Sequence, residues 1–287
     1  MVAILGFVVV LGSVLCGFAM AGGPFPVLLA WSEYVVIIGT GIGTMLTSTP
    51  GSVLKAMFAK ILGVAKPTPF TSGLYLDALR LLYELFQIAR RDGLVAIESH
   101  IEDPKQSAVF KRYPKILHEH HEVTFLCDSL RLVLVGSVPP HDLDALLESE
   151  IDVHHESEAK AVAALNEVGD ALPGIGIVAA VLGIVVTMQA IAGPIEEIGH
   201  HVAAALVGTF LGILLSYGFV APLATNIEHK NAEIARFYHF LRAGVVAFAK
   251  GFSPIVSVEF ARRAIEANAR PSFTAMETAC KDVKKAA

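Results

Sequence analysis

Charge is missing from long parts of this 287-residue chain. No Lys or Arg precedes Lys55, and none lies between Lys160 and Lys230. Only 17% of residues are charged while 54% are hydrophobic, which excludes an ordinary soluble globular composition. The formal net charge of −5 leaves no basic surface for a nucleic-acid partner. Cysteine is scarce. Cys16, Cys127 and Cys280 are far apart and form no CxxC pair, which excludes a disulfide framework and fits a reduced, cytoplasm-facing protein. No nucleophile–base arrangement is present, so no enzyme is expected. Gly39-Thr-Gly-Ile-Gly43 lacks the following Lys of a phosphate loop.

What is there is apolar. Four uncharged runs cover Val2–Ala21, Tyr34–Pro50, Leu172–Pro194 and Val202–Thr225. A bilayer core of about 30 Å needs about 20 apolar residues per helix. The second run is short unless it borrows Val27–Trp31. The first lacks a basic n-region and reads as a retained span rather than a secretory signal. The expected class is all-α: a polytopic membrane protein with four spans (two within 1–50, two within 171–227), a helical cytoplasmic domain over 51–170, and a cytoplasmic extension and tail over 228–287.

Orientation follows from the cations. Twelve of the 22 Lys and Arg fall between Lys55 and Lys160, and ten between Lys230 and Lys285. The connections Gly22–Glu33 and Ile195–His201 hold none, only Glu33, Glu196 and Glu197. Positive residues stay cytoplasmic, which places both termini and the central segment inside and two short acidic loops outside. With those glutamates outside, the spans contain no acid, base or histidine. Ion carriers normally need one in the membrane, so a partner would have to bring it.

In the soluble part, Leu76, Leu79, Leu82, Tyr83 and Phe86 recur at helical spacing in a helix over Leu74–Ile101, interrupted at Gly93 and ended by Asp103-Pro104. A second helix ends at Val135-Gly136. A third starts at Pro139-Pro140 and continues to Asp170. The fourth span should extend to Lys250, with a further helix over Pro254–Asn268 and a mobile tail from Arg270. His118, His121 and Glu122 invite a metal, but the spacing is not HExxH, and surface histidines are the simpler reading. A passive scaffold or a metal sensor using that cluster is the bland alternative.

The third span puts Pro173, Gly176, Ala180, Gly183 and Thr187 on one face; the fourth aligns Ala205, Thr209, Gly212 and Ser216. Small faces let helices pack closely in lipid and can also line a weakly polar ion path. Pro173 suits the first turn of a helix; Pro222 has no such reason.

These residues carry a resemblance. "HESEAKAVAALNEVGDALPGIGIVAAVLGIVV", "VGTFLGILLSYGFVAPLA" and "ARRDGLVAIESHIEDP" resemble the A subunit of bacterial flagellar stators, the MotA family, over nearly the whole chain. The resemblance implies an inner-membrane homo-oligomer, five A subunits around two peptidoglycan-anchored B subunits whose aspartate binds the ion. It implies that inward ion flow drives torque on the flagellar rotor switch protein. By resemblance, Pro173 and Pro222 couple ion events to movement, Thr209 lies near the partner's aspartate, Arg90 and Glu98 face the rotor, and Glu150 is an acid at the inner mouth. Ala180, Thr187, Ala205 and Thr209 would line the path. No cofactor is implied. Ala180 replaces the threonine of sodium-using relatives, which favours the proton over sodium. The alternative is an ExbB/TolQ-type energy transducer, whose members usually have three spans.

Overall fold

The computed structural model describes residues 2–286, apart from 190. Its helices, in chain order, are α1 (Val2–Met20), α2 (Phe25–Leu28), α3 (Trp31–Ser48), α4 (Gly51–Gly63), α5 (Ser72–Asp92), α6 (Glu98–Glu102), α7 (Pro114–Leu117), α8 (His120–Val135), α9 (Pro140–Gln189), α10 (Ile195–Leu215), α11 (Ala221–Ala249), α12 (Pro254–Ala264) and α13 (Phe273–Ala286). There is no strand among the described residues. Among the described residues, four helical stretches are long and apolar enough to cross a membrane: Val2–Met20, Phe25–Ser48, and parts of Pro140–Gln189 and of Ile195–Ala249.

Two compact groups emerge. The first runs to Pro67 and resumes over Ser157–His229; the second takes Thr68–Glu156 and the chain from Lys230 on. The first group is larger than the spans alone because α4 has an apolar face. Met57 and Val64 join Ala161, Val162, Leu165, Ala224 and Ile227 in one buried cluster. Lys60 and Glu158 form an ion pair beside it.

Several expected boundaries move. The acidic stretch Ile195–His201 is no loop but the first two turns of α10, and α3 starts at Trp31, ahead of the expected Tyr34. Pro173 does not open a helix. It lies inside the 50-residue α9, where it removes one backbone donor and faces the carbonyl of residue i−4. At Pro222 the chain meets the same problem with a single π-helical turn over Ser216–Val220, which widens the backbone just before the proline.

The second group is built on α5. Thr71 caps it, its side chain accepting from the Leu74 N–H at 3.3 Å, and Gly93 ends it at φ 93°. Leu74, Ala78, Leu79, Leu82, Leu85, Phe86 and Ala89 face a core completed by Phe110, Phe237, Phe240 and Phe248. Glu84 is buried there but paired: Arg112 donates at 2.6 Å and the Tyr113 hydroxyl at 3.1 Å. Arg242 of α11 bonds Asp144 at 2.8 Å and Glu148 at 3.0 Å on α9.

The tail, expected to be mobile, forms a helix packed on the core. Ser272 accepts from the Ala275 N–H at 3.1 Å and starts α13, and Met276 and Cys280, four apart, are buried in the core. Burial pushes the Cys127 and Cys280 thiols up to about 12, so neither is a thiolate at neutral pH. His118 lies outside α8, which begins at His120, so it shares no helix face with His121 and Glu122.

Glu122 of α8 is buried, and desolvation raises its carboxyl above the ordinary range, with Glu119 adding to the shift and His121 opposing it. The folded state therefore holds this proton more tightly than the unfolded chain. Its contribution to stability is present below the ordinary Glu value and is lost as pH rises through the raised one. Glu122→Gln should melt higher than the parent at neutral pH and match it near pH 4, the ordinary Glu range. Melting curves across that range check this; equal melting temperatures throughout would contradict it.

Candidate functional site

The site lies where α9 and α10 meet in the first group. Their approach is close because the contact positions have no side chains. A methyl added to Gly176 would lie 2.9 Å from the Gly208 carbonyl oxygen and 3.1 Å from Gly212 Cα. One added to Gly183 would lie 2.7 Å from Ala205 Cβ. Around the seam, Ile37, Leu172, Ile175, Ala179, Val207 and Leu211 form a buried apolar cluster.

Of the expected lining residues, Ala205 and Thr187 are buried, and Ala180 and Thr209 are half-buried. Thr187 donates its hydroxyl to the Gly183 carbonyl at 2.8 Å, which leaves its oxygen lone pairs as the polar face. The contact face of α10 differs from the expected one. Gly208 takes the seam position, and Thr209 stands beside it, one residue along.

One member was missed. Glu33, expected in an outer loop, sits in the first turn of α3 and is 4% exposed. Its carboxylate reaches the seam: a methyl on Gly208 would meet Glu33 Oε2 at 2.6 Å, and one on Gly183 would meet Oε1 at 3.5 Å. Ala179 and Ala180 border the same spot, with Ala179 Cβ at 3.2 Å and the Ala180 nitrogen at 3.3 Å from that Gly208 position. The spans therefore do contain an acid of this chain. The pattern that betrays it is Glu33, Ile37 and Gly41 at intervals of four, which are the buried residues of α3.

Sequence comparison places this geometry in a family. Residues 4–93 match the family described as Motility protein A N-terminal, and residues 117–239 match the MotA/TolQ/ExbB proton channel family. The chain is 38% identical over 285 residues to Motility protein A of Escherichia coli (strain K12), covering 99% of this chain and 96% of that protein. The chain belongs to the motility protein A family. It is also 36% identical over 273 residues to the Chemotaxis protein LafT of Vibrio parahaemolyticus, covering 95% and 96% of the two chains. The fold agrees with two solved structures. One is the C. jejuni MotAB structure, at TM-score 0.77 and 20% identity, covering 94% of this chain and 98% of that one. The other is the MotAB stator complex of Bacillus subtilis, at 0.70 and 21%, covering 90% and 92%.

The remaining expected residues of this family member are Arg90, Glu98 and Glu150 of the second group and the two prolines of the first. Arg90 is exposed in the last turn of α5, and Glu98 is exposed at the start of α6. Between them run Gly93 and a 3-10 turn over Leu94–Ile97, with Val95 71% exposed. Neither Arg90 nor Glu98 is in an ion pair among the described residues; Arg91 bonds Asp92 instead, at 2.9 Å. Glu150 is exposed on α9, and its carboxyl is raised by partial desolvation and by the Asp128 charge. Pro173 is half-buried and Pro222 exposed.

Proposed function

We infer that this chain is the A subunit of a flagellar stator: with a B-type partner it conducts protons inward and turns that flow into torque. The observation that carries this reading is the α9–α10 seam, a close, uncharged contact of glycines and alanines built on two helices of a motility protein A chain. Relatives bearing motility names support it, as does the fold shared with A–B stator complexes. A match of residues 4–93 to a motility protein A segment and four candidate spans favour this over an ExbB/TolQ-type transducer.

In this reading the partner's carboxylate stands at the seam near Thr209, and Ala180, Thr187 and Ala205 line the path with it. Several copies, five by family resemblance, surround the partner in the bacterial inner membrane. The cation distribution puts both termini in the cytoplasm. Pro173 and Pro222, each short of one backbone hydrogen bond, are the flexible points where ion events reach the soluble helices. Arg90 and Glu98 flank an exposed apolar turn and so form a surface suited to the rotor switch protein, with charges that orient it and Val95 that contacts it. Glu150 is an acid at the inner mouth. The proton is favoured over sodium because Ala180 supplies no hydroxyl, and sodium needs several oxygen ligands.

The test is swimming of a stator-deleted bacterium carrying this chain and its cognate B subunit, with external sodium varied at fixed pH. Motility that persists without sodium and stops with a protonophore is expected. Motility that follows sodium would overturn the choice of ion. A complex present in the membrane without motility would overturn the stator reading.

A further inference from the structure

Glu33 is a polar group in an apolar place. Its side chain is buried; Ser32 beside it hydrogen-bonds the carboxyl, yet Oε2 has no hydrogen-bond partner among the described residues. No Lys, Arg or His pairs with it among the described residues. The elements packed on it offer little. Tyr34 on its own helix donates to the Leu28 carbonyl at 3.3 Å, and α10 brings Glu196, Glu197, His200 and His201 only in its first two turns. The part of α9 beyond Asp170 carries no titratable group. An ionised carboxylate without a counter-charge is costly in such surroundings; a neutral acid is far less so.

The seam is shaped around this carboxyl. Gly208 is the residue whose Cβ would occupy the place of Oε2, and Gly183 leaves room for Oε1. Ala179 and Ala180 adjoin the same spot. A packing acid needs no place cleared for it by glycines, and an unpartnered oxygen set in such a place at the seam is the arrangement of a group that accepts and releases a proton.

We propose that Glu33 is a second protonation site of the ion path, carried by this chain itself. It takes a proton from water on the outer side and passes it to the partner's carboxylate. The proton balance is simple: the carboxylate gains a proton from hydronium and releases water, then the acid gives that proton to the next carboxylate and returns to its charged form. The ligand is a proton rather than sodium, because the glycine and alanine walls offer no ring of free oxygens. The second step rests on the stator reading; the protonation of Glu33 does not.

The test uses the complex of this chain with its B subunit in lipid vesicles. Proton flux is followed with a pH dye, and the carbonyl stretch of a protonated carboxylic acid by infrared difference spectroscopy. Glu33→Gln keeps the shape and cannot exchange a proton, so flux should fall by about tenfold or more while the complex stays assembled. Glu33→Asp should restore a large part of it with a shifted pH profile. In Glu33→Gln the infrared band should lose the component that Glu33 adds to that of the partner's carboxyl. Flux in Glu33→Gln within about twofold of the parent, well short of the loss a proton-transfer group should cause, would overturn the relay. A band whose intensity is unchanged by the substitution would overturn the protonation itself. If Glu33→Gln does not assemble, Glu33→Asp decides: an unchanged pH profile overturns the relay. A parent complex that conducts nothing indicts the stator reading instead, and the infrared band still decides whether Glu33 holds a proton.

Discussion

Gly212→Val should remove stator function outright. A methyl at this position would lie 2.5 Å from the Leu172 carbonyl oxygen, 2.9 Å from Gly176 Cα and 3.2 Å from Gly176 N. All three are backbone atoms in the middle of α9, so no side-chain rotation relieves the contact. Ordinary van der Waals distances return only if the helices separate by about 1 Å. That opens the packing of the whole seam, because Gly176 and Gly208 depend on the same approach. Overpacking in a core costs about 1–3 kcal/mol, and a rigid backbone obstacle with a β-branched side chain lies at or above the top of that range. In lipid no hydrophobic force pulls the helices back together, so the lost contacts have no substitute. Gly12→Val is the control: a side chain there meets nothing within 4 Å in the chain. Membrane levels, co-purification with the B subunit and swimming should all fall for Gly212→Val and hold for Gly12→Val. A Gly212→Val chain that swims would show that the two helices are not packed as described.

The seam was legible in the sequence because small residues at steps of three and four in an apolar run serve mainly to let two helices approach closely. Pro222 was legible as an irregularity, but its resolution was not. Residue spacing cannot say whether a helix kinks, ends or widens into a π-turn, since all three relieve the same clash. Pro173 misled for a related reason. A proline after a polar stretch reads as a helix start, yet α9 continues through it because its buried neighbours, Leu172 and Ile175, hold both sides of the break. The tail misled because its apolar signal is short: Met276, Ala279 and Cys280 give only one stripe, with charges on either side.

Glu33 was lost to a boundary error of three residues. Hydropathy places a span where apolar residues begin, and an acid one turn inside the helix pushes that point back to Tyr34. Periodicity would have resolved it, because Glu33 repeats on the Ile37–Gly41 face that packs inward. The general lesson concerns acids at the edge of an apolar run. Charge counting reads them as loop residues, whereas the face they share decides whether they look at water or at a neighbouring helix. Glu196 and Glu197, also at such an edge, are exposed in the first turn of α10, where a helix N-terminus favours them.

The second large effect is expected in the soluble core. Phe86→Ala should destabilise the second group by about 3–5 kcal/mol, the usual cost of emptying a buried aromatic site. Phe86 has no exposed surface, and its ring stacks on Phe248 at 4.4 Å with an interplanar angle of 3°. That pair joins α5 to α11, so its loss leaves a cavity between two helices that few neighbours can fill. Phe248→Leu should cost less, since part of the volume is kept. Thermal melting of the purified chain should show the loss, and protease should cut the Gly93–Ile97 turn sooner. The consequence for torque follows from the same helix. Arg90 stands one turn beyond Phe86, and Ala89 between them is buried, so the core sets the direction of Arg90. Phe86→Ala should therefore lower torque while the seam still conducts. Val95→Ala separates the two causes. It trims an exposed side chain, so melting should stay as in the parent, and any loss of torque would come from contact at the turn. Equal melting of Phe86→Ala and the parent would show that the stack does not hold α5 to α11.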